Sequence, residues 1–307
     1  MLKFLYYYLR SMRLYYGFVT ATTVLVGLYY WHWFGFRADS AWRPVGWTLR
    51  ATALIAMGFF AWGFNQIFSD WCDRNEDAIN APHRPMVTGE LKPLPAFAVS
   101  VAGLAAIAVV GCLMSPWTLA FLALGGALNI AYSLLKRVPV LNCLVYACAI
   151  SCCALFAIAG MAKHCPTLDE FGFVAAWIMP VHFLMCHNSY YKDVKGDRAA
   201  GVRTLQTLCP SVALVLSDSM IFLAVVLSGF TAILNVRFLV FAVLVAVLVV
   251  AFHLAVSRSR FHRATCLNCQ LCVLLLHFYF FKASWPYAIV SLIAIQLLFL
   301  WYNDEKE

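Results

Sequence analysis

Charged side chains are scarce in this sequence. Only 12% of its 307 residues are Asp, Glu, Lys or Arg, whereas 64% are hydrophobic. A soluble protein of this length carries about twice that charged fraction. The formal net charge of +8 argues against nucleic-acid binding here, because basic residues that flank a membrane account for it. We therefore expect an integral, multi-pass membrane protein that lies in a lipid bilayer and binds no nucleic acid.

The sequence also predicts neither a cleavable signal peptide nor a set of disulfide bonds. Residues 1–18 carry scattered basic side chains and no small-residue cleavage site, so no cleavable signal is predicted. Most of the 12 cysteines lie inside apolar runs, where they behave as small hydrophobic residues, and no disulfide framework is predicted. Cys266, Cys269 and Cys272 have the spacing of part of an iron–sulfur motif, but a fourth ligand is missing. We predict no metal centre there.

Apolar runs of about 20 residues predict transmembrane helices. No loop between them is long enough to fold alone, so we expect one all-α membrane domain over residues 1–307 with about nine transmembrane helices. The run at 264–281 is ambiguous between a tenth span, a re-entrant segment and an interfacial helix. The nine predicted spans are 14–36, 47–68, 94–113, 117–135, 140–162, 170–190, 211–234, 238–257 and 284–302.

Basic residues are distributed unequally between the two sides of these spans. With the N-terminus in the cytoplasm, fifteen Lys and Arg residues face inward and five face outward. Cytoplasmic loops of membrane proteins carry such an excess. This asymmetry predicts a cytoplasmic N-terminus. It also places the two longest polar loops, 69–93 and 191–210, on the cytoplasmic side.

The first of these loops is strongly acidic. Asp70, Asp73 and Asp77 are spaced i, i+3 and i+7, so on a helix they share one face. Like charges this close repel one another, and more so near a membrane, so we expect a cation among them. Oxygen ligands favour a hard cation such as Mg²⁺. Taken alone, the cluster is also typical of a solvated helix end.

A second acidic cluster follows the sixth predicted span. Asp193 and Asp197 are spaced i, i+4 and lie beside Lys192 and Arg198. This cluster alone also resembles a solvated helix end. Two such clusters on one predicted side, each mixing acids with bases, instead favour a diphosphate ligand. Carboxylates hold Mg²⁺, the metal bridges phosphate oxygens, and basic side chains neutralise the remaining charge.

Aromatic residues make up 16% of the chain. Ionisation of an allylic diphosphate yields a carbocation, and aromatic faces stabilise cations. However, Phe is also a common lipid-facing residue, and Trp and Tyr form interfacial belts. We therefore assign no single aromatic residue a catalytic role. The isolated His182 favours a packed role, whereas His187 and Asn188, one turn before the second cluster, could line its pocket.

These patterns resemble the UbiA superfamily of intramembrane prenyltransferases. That family has about nine transmembrane helices, with one Asp-rich motif after the second helix and another after the sixth. Its first motif, NDxxDxxxD, is matched at Asp70, Asp73 and Asp77, and an INxPxRP pattern follows at 79–85. Its second, KDxxGDRxxGxxTL, is matched at 192–205. A third likeness is the segment 132–137, with Asn142 beyond it.

The resemblance implies a helical bundle around a central cavity, a prenyl diphosphate donor, an aromatic or lipid acceptor and Mg²⁺. The first motif of the family opens with Asn, whereas this chain has Ser69 there. Asn65 lies one turn earlier on the same face and could reach the same pocket. The implied catalytic and metal-binding residues are Asp70, Asp73, Asp77, Asp193 and Asp197. The implied diphosphate-binding residues are Asn65, Arg84, Lys136, Lys192 and Arg198.

Three functions stay open at this point. Prenyl transfer to an acceptor is the first. The second is terpene cyclisation without an acceptor, which the family resemblance links to an Asn-Gln pair before a modified first motif, as at Asn65 and Gln66. The third is a non-catalytic transporter, which predicts internal repeats and acids near the bilayer midplane. The acids here lie at span ends and no repeat is obvious, which argues against the third.

Overall fold

A computed structural model describes residues 2–31, 47–72, 74–135, 138–192, 194–199, 201–217, 247 and 284–302. Within these ranges every regular element is helical. A π-helical turn, Val174–Ile178, joins α8 to α9, and a 3-10 turn, Tyr190–Lys192, follows α9. The helices are α1 Leu2–Ser11, α2 Leu14–Tyr30, α3 Trp47–Cys72, α4 Arg74–Asn80, α5 Pro93–Met114, α6 Pro116–Leu134, α7 Leu141–Ala162, α8 Leu168–Phe173, α9 Met179–Ser189, α10 Val194–Ala199, α11 Leu205–Leu208 and α12 Ser284–Tyr302.

Five helical segments of the described ranges are long and apolar enough to cross a membrane, and α2 is a shorter apolar helix. These six agree with the first six predicted spans, and α12 coincides with the last. The predicted spans at 211–234 and 238–257 and the ambiguous run 264–281 lie wholly or mostly outside the described residues. The total of nine spans stays a prediction. The five segments are Leu49–Cys72, Pro93–Met114, Pro116–Leu134, Leu141–Ala162 and Leu168–Ser189.

The sixth predicted span is not one regular α-helix. Its α8 and α9 are separated by the π-helical turn, directly before Pro180 at the start of α9. Proline has no N–H to donate, and its ring clashes with the carbonyl four residues earlier. A π-turn is one way in which a helix accommodates such an interruption. The hydrogen-bond pattern of this span is therefore interrupted before it reaches the second acidic motif.

Helix α7 lies at the centre of the described bundle. It is buried along most of its length and packs against α2, α3, α6 and α9. Helices α5 and α6 are mostly exposed and present apolar side chains such as Val109, Leu113 and Ile130. An apolar exterior of this kind suits contact with lipid hydrocarbon. The core therefore runs along α7, and α5 and α6 form a lipid-facing side.

Small residues let the central helices approach closely. A Cβ atom on Gly27 would lie 2.5 Å from the backbone oxygen of Ala154, so α2 and α7 meet backbone to backbone. Small residues commonly form such contacts between membrane helices. Polar contacts add to them, because Thr23 Oγ1 lies 2.9 Å from His182 Nε2 and joins α2 to α9. His182 is therefore a buried residue that packs between helices, as the sequence predicts for a histidine without other polar residues near it.

Candidate functional site

The two acidic motifs lie at the same end of the bundle. Asn142, at the start of α7, donates a hydrogen bond of 2.8 Å to the Tyr190 hydroxyl, just after α9. Tyr146, one turn further along α7, packs against Trp62 of α3, with ring centroids 6.4 Å apart. Asp70 follows Trp62 by about two helical turns. The start of α7 therefore lies between the ends of α3 and α9, from which the two motifs extend.

Asp70 is buried and receives several hydrogen bonds. Gln66 Nε2 donates to Asp70 Oδ1 at 2.9 Å, and Arg13 Nη2 donates to the same oxygen at 3.2 Å. Arg84 Nη1 lies 3.5 Å from that oxygen as well. In contrast, among the described residues the polar contact of Asp70 Oδ2 is a long one, 3.5 Å from Arg13 Nη2. Oδ2 is therefore the oxygen of this carboxylate that is better placed to accept another ligand.

Asp77 forms the second half of this cluster. It is buried in α4, and Arg84 Nη1 donates a short hydrogen bond to its Oδ2. Burial raises the pKa of the Asp77 carboxyl, and the charge and hydrogen bond of Arg84 oppose that rise. Arg84 bridges Asp70 and Asp77 and holds the end of α3 against α4.

Helix α1 holds Arg13 in place. Tyr8 OH lies 3.0 Å from Ser100 Oγ of α5, and Tyr7 OH donates to Glu90 of the loop after α4 at 2.7 Å. Arg13, between α1 and α2, has a left-handed backbone conformation with φ 48°. Such a conformation costs about 1–2 kcal/mol outside glycine and is common at functional sites. The α1–α2 junction thus directs the guanidinium of Arg13 to the first motif.

The second motif is described in part. Asp197 and Arg198 lie in α10, where Asp197 is half-buried and Arg198 exposed. Lys192 ends the 3-10 turn before α10. Asn65 is half-buried in α3. Asp73, Lys136 and Asp193 lie outside the described residues, so their predicted positions are untested.

Buried hydrogen bonds tie the segment after the second motif to α9. Gln206 Nε2 donates to the backbone oxygen of His187 at 2.7 Å, and the His187 ring nitrogen Nε2 lies 3.0 Å from the Ala213 oxygen. Ser217 Oγ donates to Asn188 Oδ1 at 2.5 Å. His187 and Asn188 therefore connect this segment to α9, and their place in the pocket stays a prediction.

Five aromatic rings connect the two motifs. Tyr16 packs on Trp62 with centroids 4.9 Å apart, and Trp62 contacts Tyr146 in an edge-on arrangement. Tyr146 packs on Tyr132 at 5.3 Å, and the Tyr132 hydroxyl lies 3.1 Å from that of Tyr190. We call these five rings the aromatic array. It runs from α2 to the turn before the second motif, and its ring faces could stabilise a cation held between the motifs.

Comparison with known proteins identifies the family. A match to the UbiA prenyltransferase family extends over residues 20–271, which is most of the chain. The chain belongs to this family. A curated relative, the bacteriochlorophyll synthase 33 kDa chain of Rhodobacter capsulatus, is 32% identical over 174 residues, covering 52% of this chain and 55% of the relative. The digeranylgeranylglyceryl phosphate synthase of Natronomonas pharaonis is 34% identical over 164 residues, covering 50% and 55%.

The fold is that of solved UbiA structures. A UbiA homologue from Archaeoglobus fulgidus bound to GPP and Mg²⁺ aligns with a TM-score of 0.62 at 15% identity, covering 94% of this chain and 99% of that one. At this identity the likeness shows the fold alone. The chain spans about half the length of the two curated relatives it matches. It is a helical membrane bundle of the UbiA type.

The carboxylates of this UbiA protein fit a hard cation. Asp70 and Asp77 are buried at one end of the bundle, and each has one oxygen that is less engaged by Arg84, Arg13 and Gln66. Oxygen donors of this kind suit Mg²⁺. No group of three or more His, Cys, Asp or Glu residues that could hold a metal occurs in the described ranges, which do not include Asp73 and Asp193.

Sequence reasoning missed Arg13 and Gln66 as members of the site. Gln66 lies four residues before Asp70, and this helical spacing could have identified it. Arg13 is 57 residues away from Asp70 in sequence and stood out only as one basic residue among several. Its role depends on how α1 and α2 pack against α3, which no local pattern reveals.

Proposed function

We propose that this chain is a Mg²⁺-dependent intramembrane prenyltransferase. It ionises an allylic prenyl diphosphate and transfers the prenyl group to an aromatic or lipid acceptor. The observation that carries the proposal is the cluster of buried Asp70 and Asp77 with half-buried Arg13 and Arg84, at the same end of the bundle as the second motif. Such a mixture of acids and guanidinium groups suits a metal–diphosphate ligand.

The proposed arrangement of the membrane spans places both acidic motifs at the entrance of one cavity. One domain over residues 1–307 has nine spans around a central cavity, with the N-terminus and both acidic loops in the cytoplasm. The fifteen-to-five charge asymmetry of the sequence supports this orientation. The diphosphate enters from the polar end of the cavity, and the isoprenoid chain extends among the apolar helices.

Each residue of the site has a proposed role. Bound Mg²⁺ would neutralise the diphosphate and stabilise the charge that develops on it as a leaving group. Asn65 orients the diphosphate from α3, and Arg13 keeps the Asp70 carboxylate in position. The proposed metal-holding residues are Asp70, Asp73, Asp77, Asp193 and Asp197. The cations that bind the departing diphosphate are Arg84, Lys136, Lys192 and Arg198.

The reaction balances as a substitution at the allylic carbon. The C–O bond to the diphosphate breaks, and its electron pair leaves with the diphosphate. The acceptor supplies the electron pair of the new bond and then loses a proton. The aromatic array lies close to this path and stabilises the transient positive charge of the allylic group. The names of the two relatives, synthases of a bacteriochlorophyll and of a lipid phosphate, support a lipid-soluble acceptor.

Cyclisation of the donor without an acceptor is the second candidate. Ser69 in place of the opening Asn and the aromatic array favour it, because a cyclase must guide a carbocation over aromatic surfaces. The two functions share the ionisation step. They differ in whether a product forms from the prenyl diphosphate alone.

The test is turnover by the purified full-length protein. Prenyl diphosphates of several chain lengths are incubated with Mg²⁺, with and without phenolic or lipid-alcohol acceptors, and the organic extract is analysed. We expect Asp77→Asn, Asp73→Ala and Asp193→Ala each to lower turnover about 100-fold or more, since each removes charge that stabilises the transition state. Lys92→Gln, an exposed charge before α5, is the control.

Unchanged turnover in all three Asp variants would rule out the assigned site. A cyclic hydrocarbon or terpene alcohol formed without an acceptor would select the cyclase. No diphosphate release from any donor would contradict both enzymatic functions.

A further inference from the structure

The indole N–H of Trp62 is a buried hydrogen-bond donor without a partner among the residues that the structure describes. Unpaired buried donors are rare in native proteins, and each calls for a physical explanation. Trp62 also belongs to the aromatic array, between Tyr16 and Tyr146. The unpaired donor therefore lies between the two acidic motifs, next to the proposed reaction path.

The position of Trp62 differs from that of most membrane tryptophans. Most membrane tryptophans lie at the interface, where their N–H meets water or lipid headgroups. Trp71 and Trp117 fit that pattern, since they lie close to the ends of α3 and α6. Trp62 lies near the middle of the segment Leu49–Cys72. Lipid headgroups lie far from that depth, and an N–H that stays unpaired in an apolar environment costs several kcal/mol.

Among the residues that the structure describes, the neighbours of Trp62 do not replace such a partner. Tyr16 and Tyr146 present rings to it, and the hydroxyls of Tyr132 and Tyr190 are paired with each other. A bound apolar molecule that carries an atom with a lone pair to this depth would satisfy the indole N–H. In lipid-soluble prenyl acceptors that atom is the oxygen of a phenol, an alcohol or a carbonyl group.

The distance from the first motif suits an acceptor. Trp62 precedes Asp70 by about two helical turns, which is about 12 Å along the helix axis. In the proposed reaction, a metal, a diphosphate and the first allylic carbon would lie between the Asp70 carboxylate and the acceptor. This separation leaves room for the diphosphate between the metal-holding carboxylate and an acceptor bound at Trp62.

We propose that the Trp62 indole N–H binds an oxygen atom of the prenyl acceptor and thereby selects acceptors that carry oxygen over pure hydrocarbons. This inference rests on the proposed prenyl transfer. It makes Trp62 a binding residue that fixes the position of the acceptor. It also favours transfer over cyclisation, because a hydrocarbon donor folding on itself brings no oxygen to this point.

The test uses two probes that differ only in an oxygen atom, 1-naphthol and naphthalene, with the full-length protein in lipid nanodiscs. The Trp62→Phe variant keeps an aromatic ring and removes the N–H. The indole ¹H–¹⁵N signal that is present in the unmodified protein and absent in Trp62→Phe is therefore the signal of Trp62. We expect 1-naphthol, but not naphthalene, to move this signal downfield. We expect Trp62→Phe to weaken 1-naphthol binding about five- to tenfold, as the loss of one hydrogen bond does, and to leave naphthalene binding unchanged.

Two controls complete the design. Trp117→Phe, in an exposed tryptophan at the start of α6, should leave both affinities unchanged. Geranyl diphosphate with Mg²⁺ should bind equally well to the unmodified protein and to Trp62→Phe. The proposal would be overturned if the chemical shift of the Trp62 indole did not change on addition of 1-naphthol. It would also be overturned if Trp62→Phe bound 1-naphthol with unchanged affinity. Failure of geranyl diphosphate to bind would instead count against the proposed function, and the naphthol titration would still decide the role of the indole N–H.

Discussion

A single carboxylate, Asp70, forms hydrogen bonds or ion pairs with residues of three different segments. Gln66 belongs to its own helix, Arg13 to the α1–α2 junction and Arg84 to the loop after α4. A buried charge is stable only when partners compensate it, and removing one partner leaves it under-compensated. The position of Asp70 therefore depends on the docking of the N-terminal helix, as well as on its own motif.

The first prediction follows from this dependence. Arg13→Gln should destabilise the protein by about 1–3 kcal/mol, the cost of removing a charged partner from a buried group. Diphosphate release should fall about tenfold or more, because the free energy lost at Asp70 also raises the barrier. Thermal unfolding in detergent and a diphosphate-release assay measure the two effects.

Arg13→Lys and Lys92→Gln complete this series. Arg13→Lys keeps the charge but loses the planar guanidinium, so an intermediate effect is expected. Lys92→Gln should match the unmodified protein in both measurements. If Arg13→Gln lowered stability and left diphosphate release unchanged, Arg13 would be a structural residue only.

At the scale of secondary-structure elements, close contact between α2 and α7 sets the geometry of the site. Gly27 lies against the backbone of Ala154, and Tyr16 lies three turns earlier on α2, in the aromatic array. The core of a protein is packed densely enough that an added methyl group displaces its neighbours. A shift of α2 would therefore move both Arg13 and Tyr16 relative to α3.

The second prediction compares two glycines. Gly27→Ala should lower the free energy of unfolding by about 1–3 kcal/mol, because its Cβ would overlap the Ala154 carbonyl. Gly126→Ala, in α6, meets nothing within 4 Å and should be neutral or stabilise the helix by up to about 1 kcal/mol. Thermal unfolding of the two variants in the same detergent provides the comparison. Equal melting temperatures would show that α2 and α7 are farther apart than the structure indicates.

At the scale of the whole molecule, the two ends of the bundle differ in chemistry. Arg13, Asp70, Asp77 and Arg84 cluster at one end. Lys163 follows the last residue of α7 at the opposite end, since α7 begins beside the motifs. The sequence predicts that the end with the motifs faces the cytoplasm, because most basic residues lie there.

The third prediction tests this orientation. Single cysteines are introduced at Lys92 and at Lys163, both exposed, in a background without the exposed native cysteines. In intact cells a membrane-impermeant maleimide should label Lys163→Cys, whereas Lys92→Cys should react only after permeabilisation. The opposite labelling pattern would invert the orientation and place the acidic motifs outside the cytoplasm.

The sequence by itself determined the membrane class, the helical character of the first six spans and both acidic motifs, because hydropathy and spacing along one helix are local properties. The family resemblance named both Asp77 and Arg84, and the structure shows that they are in contact. Only the tertiary structure decided that Arg13 reaches Asp70, that His187 fastens the segment after α9, and that the unpaired indole of Trp62 lies within the aromatic array. These contacts join residues that are far apart in sequence, and they depend on how closely α2, α3 and α7 pack, which is a property of three-dimensional shape.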